Sequence, residues 1–519
     1  MLYFTSIFLG GLFTLCFAPY YVFVAGFAAI TGLMVLLDFA RSNRRRFILG
    51  FLFGFIHHVT GLYWISNSLL VEADKFAWLI PFAASLIPAI LALFIGFVCY
   101  LTHKLEYKGF AKILFFSSAW VFAEIIRGHA LTGFPWNLTG YIFMGSIEIS
   151  QAAAYVGVYG LSLLAIILFS APYMVFSSLV DFKFYNRVTK ISFSMLYLLP
   201  IVFVTAIISM NGREKILKNT DKFEKTYIRV VQPNISQQEK MDNLRLGEQL
   251  YKLYTLSVKK SEIDGFVPDL IIWPEAATPF NIKVSPLFRD EVSDIVPYSA
   301  YLLLGSIRYD IENNAVYNSM EIIDGEGNLV EDKFYNKHHL VPFGEYIPLR
   351  KIFPLVESIA GGHGDFSRGK GPDIIKLDNA PAFSPNICYE IIFPNQVVDN
   401  KPEFKDRAKF ILNLTNDAWF GDSTGPYQHL DKSRMRAIEE GVPVIRAANT
   451  GVSAVIDANG IILKSLELNK KGVIDIKLPA ALERPTYFSE HGNKTILLIC
   501  SFMMVFSIIL KAIRRWRKK

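Results

Sequence analysis

The stretch Pro385-Asn386-Ile387-Cys388-Tyr389-Glu390-Ile391-Ile392-Phe393 sets a cysteine at the end of an apolar run, with a turn following at Pro394-Asn395. It reads as a β-strand feeding a tight turn that lifts one thiol above a sheet. A cysteine in this setting is either a buried structural residue or a nucleophile. A nucleophile needs a base for its proton and a cation for the oxyanion that follows. Two upstream segments offer both. Ile271-Ile272-Trp273-Pro274-Glu275 is an apolar run ending on a carboxylate, and Tyr335-Asn336-Lys337-His338-His339-Leu340-Val341-Pro342-Phe343-Gly344-Glu345 carries a lysine and a second carboxylate. Glu275 is then the candidate base, Lys337 the candidate oxyanion cation and Cys388 the candidate nucleophile, with the Tyr389 backbone N–H as a second oxyanion donor. The competing readings are a helix-capping or ion-paired Glu275 and a solvated Lys337. His338 and His339 suggest a His–Cys pair, but adjacent histidines in a loop read as surface residues.

Outward from this site, residues 225–485 alternate short β-rich runs at 227–231, 270–273, 301–306, 410–414 and 452–456 with helical patterns at 240–257 and 430–440. That alternation predicts an α/β layered domain with a largely buried sheet. Of the four cysteines, Cys16, Cys99 and Cys500 lie in apolar runs as small hydrophobes, which leaves Cys388 alone in this region. No C-x-x-C spacing occurs, so neither a metal site nor an internal disulfide is expected.

The rest of the chain is too apolar for an ordinary soluble protein, with 52% hydrophobic residues and a mean hydropathy of +0.32. Apolar runs at 2–17, 20–40, 47–69, 78–101, 111–126, 150–179 and 191–210, and a final one at 495–510, each approach the ~20 residues that span hydrocarbon. A multi-pass α-helical membrane bundle follows. The expected organisation is a seven-helix domain over 1–212, the α/β domain over 225–485 and an eighth helix over 494–511, with polar linkers at 211–225 and 479–493. The net charge of +7 is concentrated at the ends of apolar runs, which is a topology signal and argues against nucleic acid. Arg41, Arg44, Arg45 and Arg46, then Lys104, Lys108 and Lys112, then Lys183, Arg187 and Lys190, and finally the tail from Lys511 to Lys519 fall on one side of an eight-helix count. The positive-inside rule makes that side cytoplasmic, with both termini inside and the α/β domain outside.

Trp273-Pro274-Glu275, Tyr335-Asn336-Lys337 and Asn386-Ile387-Cys388-Tyr389-Glu390, extended by Leu414-Thr415-Asn416-Asp417-Ala418-Trp419-Phe420-Gly421 and Arg446-Ala447-Ala448-Asn449-Thr450-Gly451, resemble the nitrilase, or carbon–nitrogen hydrolase, superfamily. The resemblance implies an extracytoplasmic αββα sandwich whose triad of Glu275, Lys337 and Cys388 passes through an acyl-enzyme. Glu345 and Glu390 enter as supporting carboxylates, either in direct contact with the reaction or orienting its residues. A nitrilase-like domain placed between seven apolar helices and a last one is similar to the apolipoprotein N-acyltransferase family. So are the stretches from His339 to Tyr346, Ala123-Glu124-Ile125-Ile126-Arg127-Gly128 and Thr132-Gly133-Phe134-Pro135-Trp136-Asn137. This narrower likeness implies a phospholipid acyl donor, a thioester on Cys388, a diacylated apolipoprotein acceptor, and a monomer in the bacterial inner membrane with its catalytic domain in the periplasm. It implies no cofactor. Pro135, Trp136, Met241 and Trp419 are the implied lipid contacts, and Met241 stands where members of the family tend to carry tryptophan.

Other features stay open at this stage. Glu124 and Arg127 are three residues apart, so they either neutralise each other or mark an intramembrane site. Pro135-Trp136 is either an interfacial anchor or a wall of a lipid entrance. His57 and His58 read as polar helix-packing residues. Residues 346–362, with Ile352, Phe353, Leu355, Val356 and Ile359, form either a packed surface helix or a lid hinged at Gly361, Gly362 and Gly364. The rival functions are a membrane-tethered amidase or nitrile hydrolase, and a transporter with an external binding domain.

Overall fold

The computed structural model describes residues 1–181, 187–219, 222–348, 350–351, 358–359, 364–399 and 406–516. They form two compact units: Met1–Ser66, Asp74–Lys218 and His491–Lys519 in one, and Asn67–Ala73 with Asn219–Glu490 in the other. Ile352, Phe353, Leu355, Val356, Gly361 and Gly362 of the expected lid lie outside the described residues, as do Lys183 and residues 517–519.

The first unit is helical. Its longer helices are Leu2–Thr14, Phe23–Phe39, Asn43–Leu62, Ile80–Lys104, Gly109–His129, Ala153–Asp181, Arg187–Asn219 and Lys494–Trp516. Among the described residues, four helical stretches are long and apolar enough to cross a membrane: Ala73–Lys104, Gly109–His129, Ala153–Ser177 and Lys494–Trp516. Small residues bring the helices together. A β-carbon on Gly50 would stand 2.6 Å from the Cys99 sulfur, and one on Gly54 would stand 3.1 Å from the Ala92 Cα. This Gly-x-x-x-Gly face therefore admits a backbone approach that any side chain would block. His57 and His58 are both buried.

Several boundaries differ from the sequence reading, each for a local reason. Arg44, Arg45 and Arg46 are not loop residues. Ser42 caps the helix Asn43–Leu62 by accepting a hydrogen bond from the Arg45 N–H at 3.3 Å, so these arginines form its first turn. Lys112 is not a loop charge either. It is buried, and its Nζ donates to Asp38 Oδ1 at 2.6 Å and to the Tyr173 hydroxyl at 3.1 Å. The polar stretch 211–225 is mostly helix among its described residues, because Arg187–Asn219 extends into it, and a strand begins at Phe223. The final helix likewise carries Lys511, Arg514 and Arg515 within it.

The second unit holds two six-stranded sheets. The first contains β1 (Phe223–Gln232), β2 (Leu270–Ile272), β3 (Tyr301–Asp310), β4 (Ala315–Asp324) and β5 (Tyr335–Asn336), closed by β12 (Gly472–Pro479) beside β1. The second runs in order from β6 (Ile375–Leu377) through β7 (Ala380–Ile387), β8 (Phe410–Thr415), β9 (Val444–Ala448) and β10 (Ser453–Ile456) to β11 (Ile462–Leu466). Each sheet has a parallel centre, β1–β2–β3 in one and β7–β8–β9 in the other. The near-continuous apolar sequence of these strands fits burial on both faces.

Ile228, Ile272 and Ile322 of the first sheet share one core with Phe383, Leu412 and Ile445 of the second. The outer face of the first sheet is covered by Leu253 and Leu256 of the helix Leu246–Ser257 and by Phe288 and Val292 of Pro286–Ser293. The helix Gly425–Glu440 packs beside β9 of the second sheet. The layers are therefore α, β, β, α. The helix expected over 240–257 is broken, because Asp242 is extended (φ −91°, ψ 99°) between Gln237–Met241 and the later helix. Arg229 on β1 makes a two-pronged ion pair with Asp475 on β12, at 2.7 Å for each contact, and both residues are buried.

Candidate active site

Strand ends set the site. Glu275 lies three residues past β2, while Lys337 and Cys388 directly follow β5 and β7, so the ends of three strands supply the site. All three are buried, as are Glu345, Tyr389 and Glu390. The Glu275 turn lies against β3 at Gly305. A β-carbon there would come within 2.5 Å of the Pro274 carbonyl oxygen and 2.6 Å of the Glu275 Cα, so only glycine permits the crossing. Cys388 adopts φ +51°, a left-handed conformation that side chains rarely take, at the point where β7 gives way to a helical turn.

Lys337 is the centre of the charge network. Its Nζ donates to Glu345 Oε1 at 2.9 Å and reaches Glu275 Oε1 at 3.5 Å. Its own N–H donates to the Asn318 carbonyl at 2.9 Å, and its carbonyl accepts from the Gly369 N–H at 2.8 Å. Burial works against its charge, but Glu345 and Glu275 outweigh it and hold the ammonium well above its ordinary range. The Cys388 thiol is pushed up by burial first and by the Glu275 charge second, while Lys337 pulls it down. The resting sulfur is therefore a thiol that needs a base. Lys240 faces the same centre. Its Nζ donates to the Glu275 carbonyl at 2.6 Å, and burial brings its pKa down to about 8.

The three carboxylates have different partners. Glu345 Oε1 receives Lys337 and Asn318 Nδ2, the latter at 3.1 Å, and its Oε2 receives the Val341 N–H at 2.9 Å. Glu390 accepts from the Ile387 N–H at 2.7 Å, from the His338 and His339 N–H groups at 2.8 and 3.1 Å, and from the Tyr335 hydroxyl at 2.9 Å. It ties the residue before Cys388 to the two residues after Lys337. Glu275 Oε1 receives Asn318 Nδ2 at 2.8 Å, and its Oε2 is buried with no hydrogen-bond partner. That is the oxygen free to take a proton.

Sequence reasoning put His338 on the surface, and the structure buries it, because its Nδ1 lies 2.6 Å from Glu390 and 2.7 Å from the Tyr335 hydroxyl. His339 is partly buried and stacks on Phe393 at 3.6 Å. Met241 is 43% exposed, next to Lys240. Trp419 is half-buried in the turn Asp417–Phe420, whose Phe420 carbonyl accepts from Asn67 Nδ2 at 2.7 Å. Pro135 and Trp136 belong to the helical unit. Trp136 is fully buried there, with its ring 4.6 Å from Trp64 and 6.0 Å from Phe134. Its faces are taken up in packing rather than offered as an open wall. Glu124 does not pair with Arg127 but accepts from Trp120 and Thr139.

Asn318 escaped the sequence reading although it touches both Glu275 and Glu345. A polar residue amid β4 carries no motif, and the only available signal was its position on a strand neighbouring the lysine. Asp417, His429 and Arg446 were also given no role. They form a buried cluster in which His429 Nδ1 and Arg446 Nη2 lie 2.9 and 2.5 Å from Asp417.

Two family models match the chain: the apolipoprotein N-acyltransferase N-terminal domain over residues 9–171, and carbon–nitrogen hydrolase over residues 227–487. Curated relatives match nearly end to end. A protein of Allorhizobium ampelinum is 34% identical over 97% of this chain and 93% of its own length. One of Rhodopseudomonas palustris is 33% identical over 97% and 94%, and one of Brucella melitensis 35% identical over 98% and 96%. Each of the three carries the name apolipoprotein N-acyltransferase. With the hydrolase match confined to the unit that holds Glu275, Lys337 and Cys388, and the other match confined to the helices, this chain belongs to the apolipoprotein N-acyltransferase family within the carbon–nitrogen hydrolases.

Proposed function

We propose that this protein N-acylates lipoproteins at a bacterial membrane, by a two-step transfer through a thioester on Cys388. In the first step Glu275 Oε2 takes the thiol proton and the sulfur attacks an ester carbonyl of a membrane phospholipid. Lys337, with a donor left after serving two carboxylates, faces the oxyanion. Collapse breaks the ester C–O bond, and Glu275 returns the proton to the departing lysophospholipid oxygen. In the second step the neutral α-amino group of a diacylglyceryl-modified N-terminal cysteine attacks the thioester. Glu275 takes the nitrogen proton as the C–S bond breaks, then reprotonates the sulfur, so charge and protons balance over the cycle.

The observation that carries this reading is that the likeness to the relatives covers the helical unit as well as the hydrolase unit. An anchored amidase would need only one apolar helix. The same reading places residues 225–485 in the periplasm, both termini in the cytoplasm and the protein in the inner membrane as a monomer. The basic residues that stay near helix ends support this orientation. Labelled phospholipid and a diacylated lipopeptide, mixed with the detergent-solubilised protein, test it. The label should reach the lipopeptide amine with wild type and not with Cys388→Ala. Release of the labelled chain as free acid, with none on the peptide, would instead point to a hydrolase.

A further inference from the structure

Lys240 is a cation at the site that the proposed mechanism does not use. It belongs to the short helix Gln237–Met241, and its Nζ donates to the Glu275 carbonyl at 2.6 Å. Among the described residues that is the one hydrogen bond its ammonium makes. The helix is braced from the other side. Gln237 Oε1 accepts from Asn416 Nδ2 at 2.8 Å, and Asn416 Oδ1 accepts from Asn449 Nδ2 at 3.0 Å. Asn449 also takes both backbone groups of Ile235, donating to its carbonyl at 2.7 Å and accepting from its N–H at 3.1 Å. Asn416 and Asn449 directly follow β8 and β9, and Gln237, Asn416 and Asn449 are all buried.

A line of hydrogen bonds therefore runs from two strand ends of the second sheet, through one helix, to the main chain of Glu275. Its last member is the strongest, because a carbonyl only accepts and an ammonium donor makes the bond charge-assisted. That bond acts on the peptide between Glu275 and Ala276, where Ala276 takes φ +46°. The same loop is tied to β3 by the Thr278 N–H on the Gly305 carbonyl at 3.2 Å, a contact that does not involve Lys240. The loop is thus held in place by one set of contacts, and its first peptide is oriented by another.

We propose that Lys240, on a helix braced through Gln237, Asn416 and Asn449, is a positioning residue for the base, orienting Glu275 by its carbonyl. The inference rests on Glu275 being the base, as set out above. Asn318 and Lys337 fix Oε1 of the Glu275 side chain, and Lys240 fixes its main chain, so the direction of Oε2 is set from both ends. The charge on Lys240 is part of the clamp. Glu275, on the loop after β2, and Cys388, on the turn after β7, are the titratable groups that act on it from other elements. Both favour the ammonium, but burial outweighs them and brings its pKa down to about 8. A neutral amine still donates to the carbonyl without the charge assistance, so the clamp weakens as pH rises through that value.

The test is phospholipid acylation of Cys388 from pH 6 to 10 on the full-length protein in detergent, followed by peptide mass spectrometry with a melting curve beside it. Lys240→Met keeps the chain length and removes the donor. Its acylation rate at saturating phospholipid should fall by about 10- to 100-fold, with the half-saturating lipid concentration unchanged and a melt close to wild type. Wild type should lose rate above about pH 8. Lys240→Arg, charged throughout this range, should recover most of the rate and lose the alkaline decline, which a merely structural role would not require. Gln237→Ala should slow acylation as well, and adding it to Lys240→Met should cost little more, because both cut the same line. Wild-type rates in Lys240→Met overturn the inference, and so does a loss confined to lipid affinity, which would make Lys240 a substrate contact. Failure of wild-type Cys388 to acquire an acyl chain overturns the function proposed above instead. Should Lys240→Met not fold, the Lys240→Arg profile decides, and an alkaline decline that persists there refutes the clamp.

Discussion

Glu390 offers the sharpest test of how the site is held together. It is fully buried, and it joins the end of β7 before Cys388 to the loop after Lys337. Glu390→Ala would leave the N–H groups of Ile387, His338 and His339 without their acceptor, together with the Tyr335 hydroxyl. Each buried donor left unmade costs about 1–3 kcal/mol, but such losses do not add, and removing one member of a buried charged network costs about 3–5 kcal/mol in total. Glu390→Gln is the more informative change. It keeps the volume and one acceptor, but its NH₂ must face a donor on one of the two loops, for a loss of about 1–3 kcal/mol. In a domain of this size that lowers the melting temperature by roughly 2–10 °C.

The kinetic consequence should be larger than the thermal one. If Glu390 sets the separation of Lys337 from Cys388, a displacement near 1 Å in Glu390→Gln lowers the rate of Cys388 acylation about 10²-fold. The apparent affinity for phospholipid should barely change, because the carboxylate oxygens are taken up by the Ile387, His338 and His339 N–H groups and the Tyr335 hydroxyl. The assay is a time course of the acylated Cys388 peptide by mass spectrometry, with a melting curve on the same preparation. A Glu390→Gln protein that melts with wild type and acylates at the wild-type rate would refute the argument. So would a variant that loses only phospholipid affinity.

Three further outcomes follow from the same contacts. Gly305→Ala places a β-carbon 2.5 Å from the Pro274 carbonyl and should suppress thioester formation strongly by moving Glu275, in a protein that still shows a cooperative melt. Asn318→Ala frees both Glu275 and Glu345 from a shared donor and should reduce acylation by about tenfold, with a changed pH–rate profile as the readout. Burial alone would raise the Glu390 carboxyl, but His338 and the Ile387 N–H outweigh it and hold it below its ordinary range. Its stabilising contribution is therefore complete above the unfolded carboxylate value of about 4.3 and is lost as pH falls through the lower folded value. Acid melts of wild type should steepen in that window, and those of Glu390→Gln should be flatter there.

The site was legible where an apolar run stops abruptly on a reactive residue. Trp273-Pro274-Glu275 and Ile387-Cys388 announce themselves because a buried strand must end before a polar group can face a cleft. Asn318 gave no such signal: it lies within β4, flanked by Tyr317 and Ser319, and its role comes only from the strand pairing that sets β4 beside β5. His429 and Arg446 are far from Cys388 in sequence: the helix Gly425–Glu440 carries His429 to the Cys388 carbonyl, and the parallel neighbours β8 and β9 set Arg446 against Asn413. Helix ends in the first unit were misplaced where charge was taken for loop. Lys112 shows why, since a lysine in a helix is invisible as a buried partner until Asp38 is known to face it. β12 was missed because Asp475 and Lys477 interrupt its apolar pattern, and Arg229 across the sheet supplies the partner that makes Asp475 tolerable there.

Strain at the loops separates what the sheets provide from what the site demands. Each of the three loops of the candidate site carries a non-glycine residue in the left-handed region: Ala276 at φ +46° after Glu275, Phe343 at +61° before Glu345, and Cys388 itself at +51°. Each such residue costs on the order of 1–3 kcal/mol and persists only where its surroundings over-determine it. The surroundings differ in kind. The Glu275 loop is held by backbone pairing to β3, where the Thr278 N–H donates to the Gly305 carbonyl at 3.2 Å. The Glu345 loop is held by its own turn, with the Glu345 N–H on the Val341 carbonyl at 2.8 Å. The Cys388 turn depends on side chains, its own Glu390 on the Ile387 N–H before it and His429, from the helix Gly425–Glu440, at its carbonyl. A backbone ladder tolerates most side-chain substitutions, whereas a side-chain clamp does not. Cys388 is therefore the member of the proposed triad most sensitive to mutations that never touch it, and Glu390 and His429 are where that sensitivity concentrates.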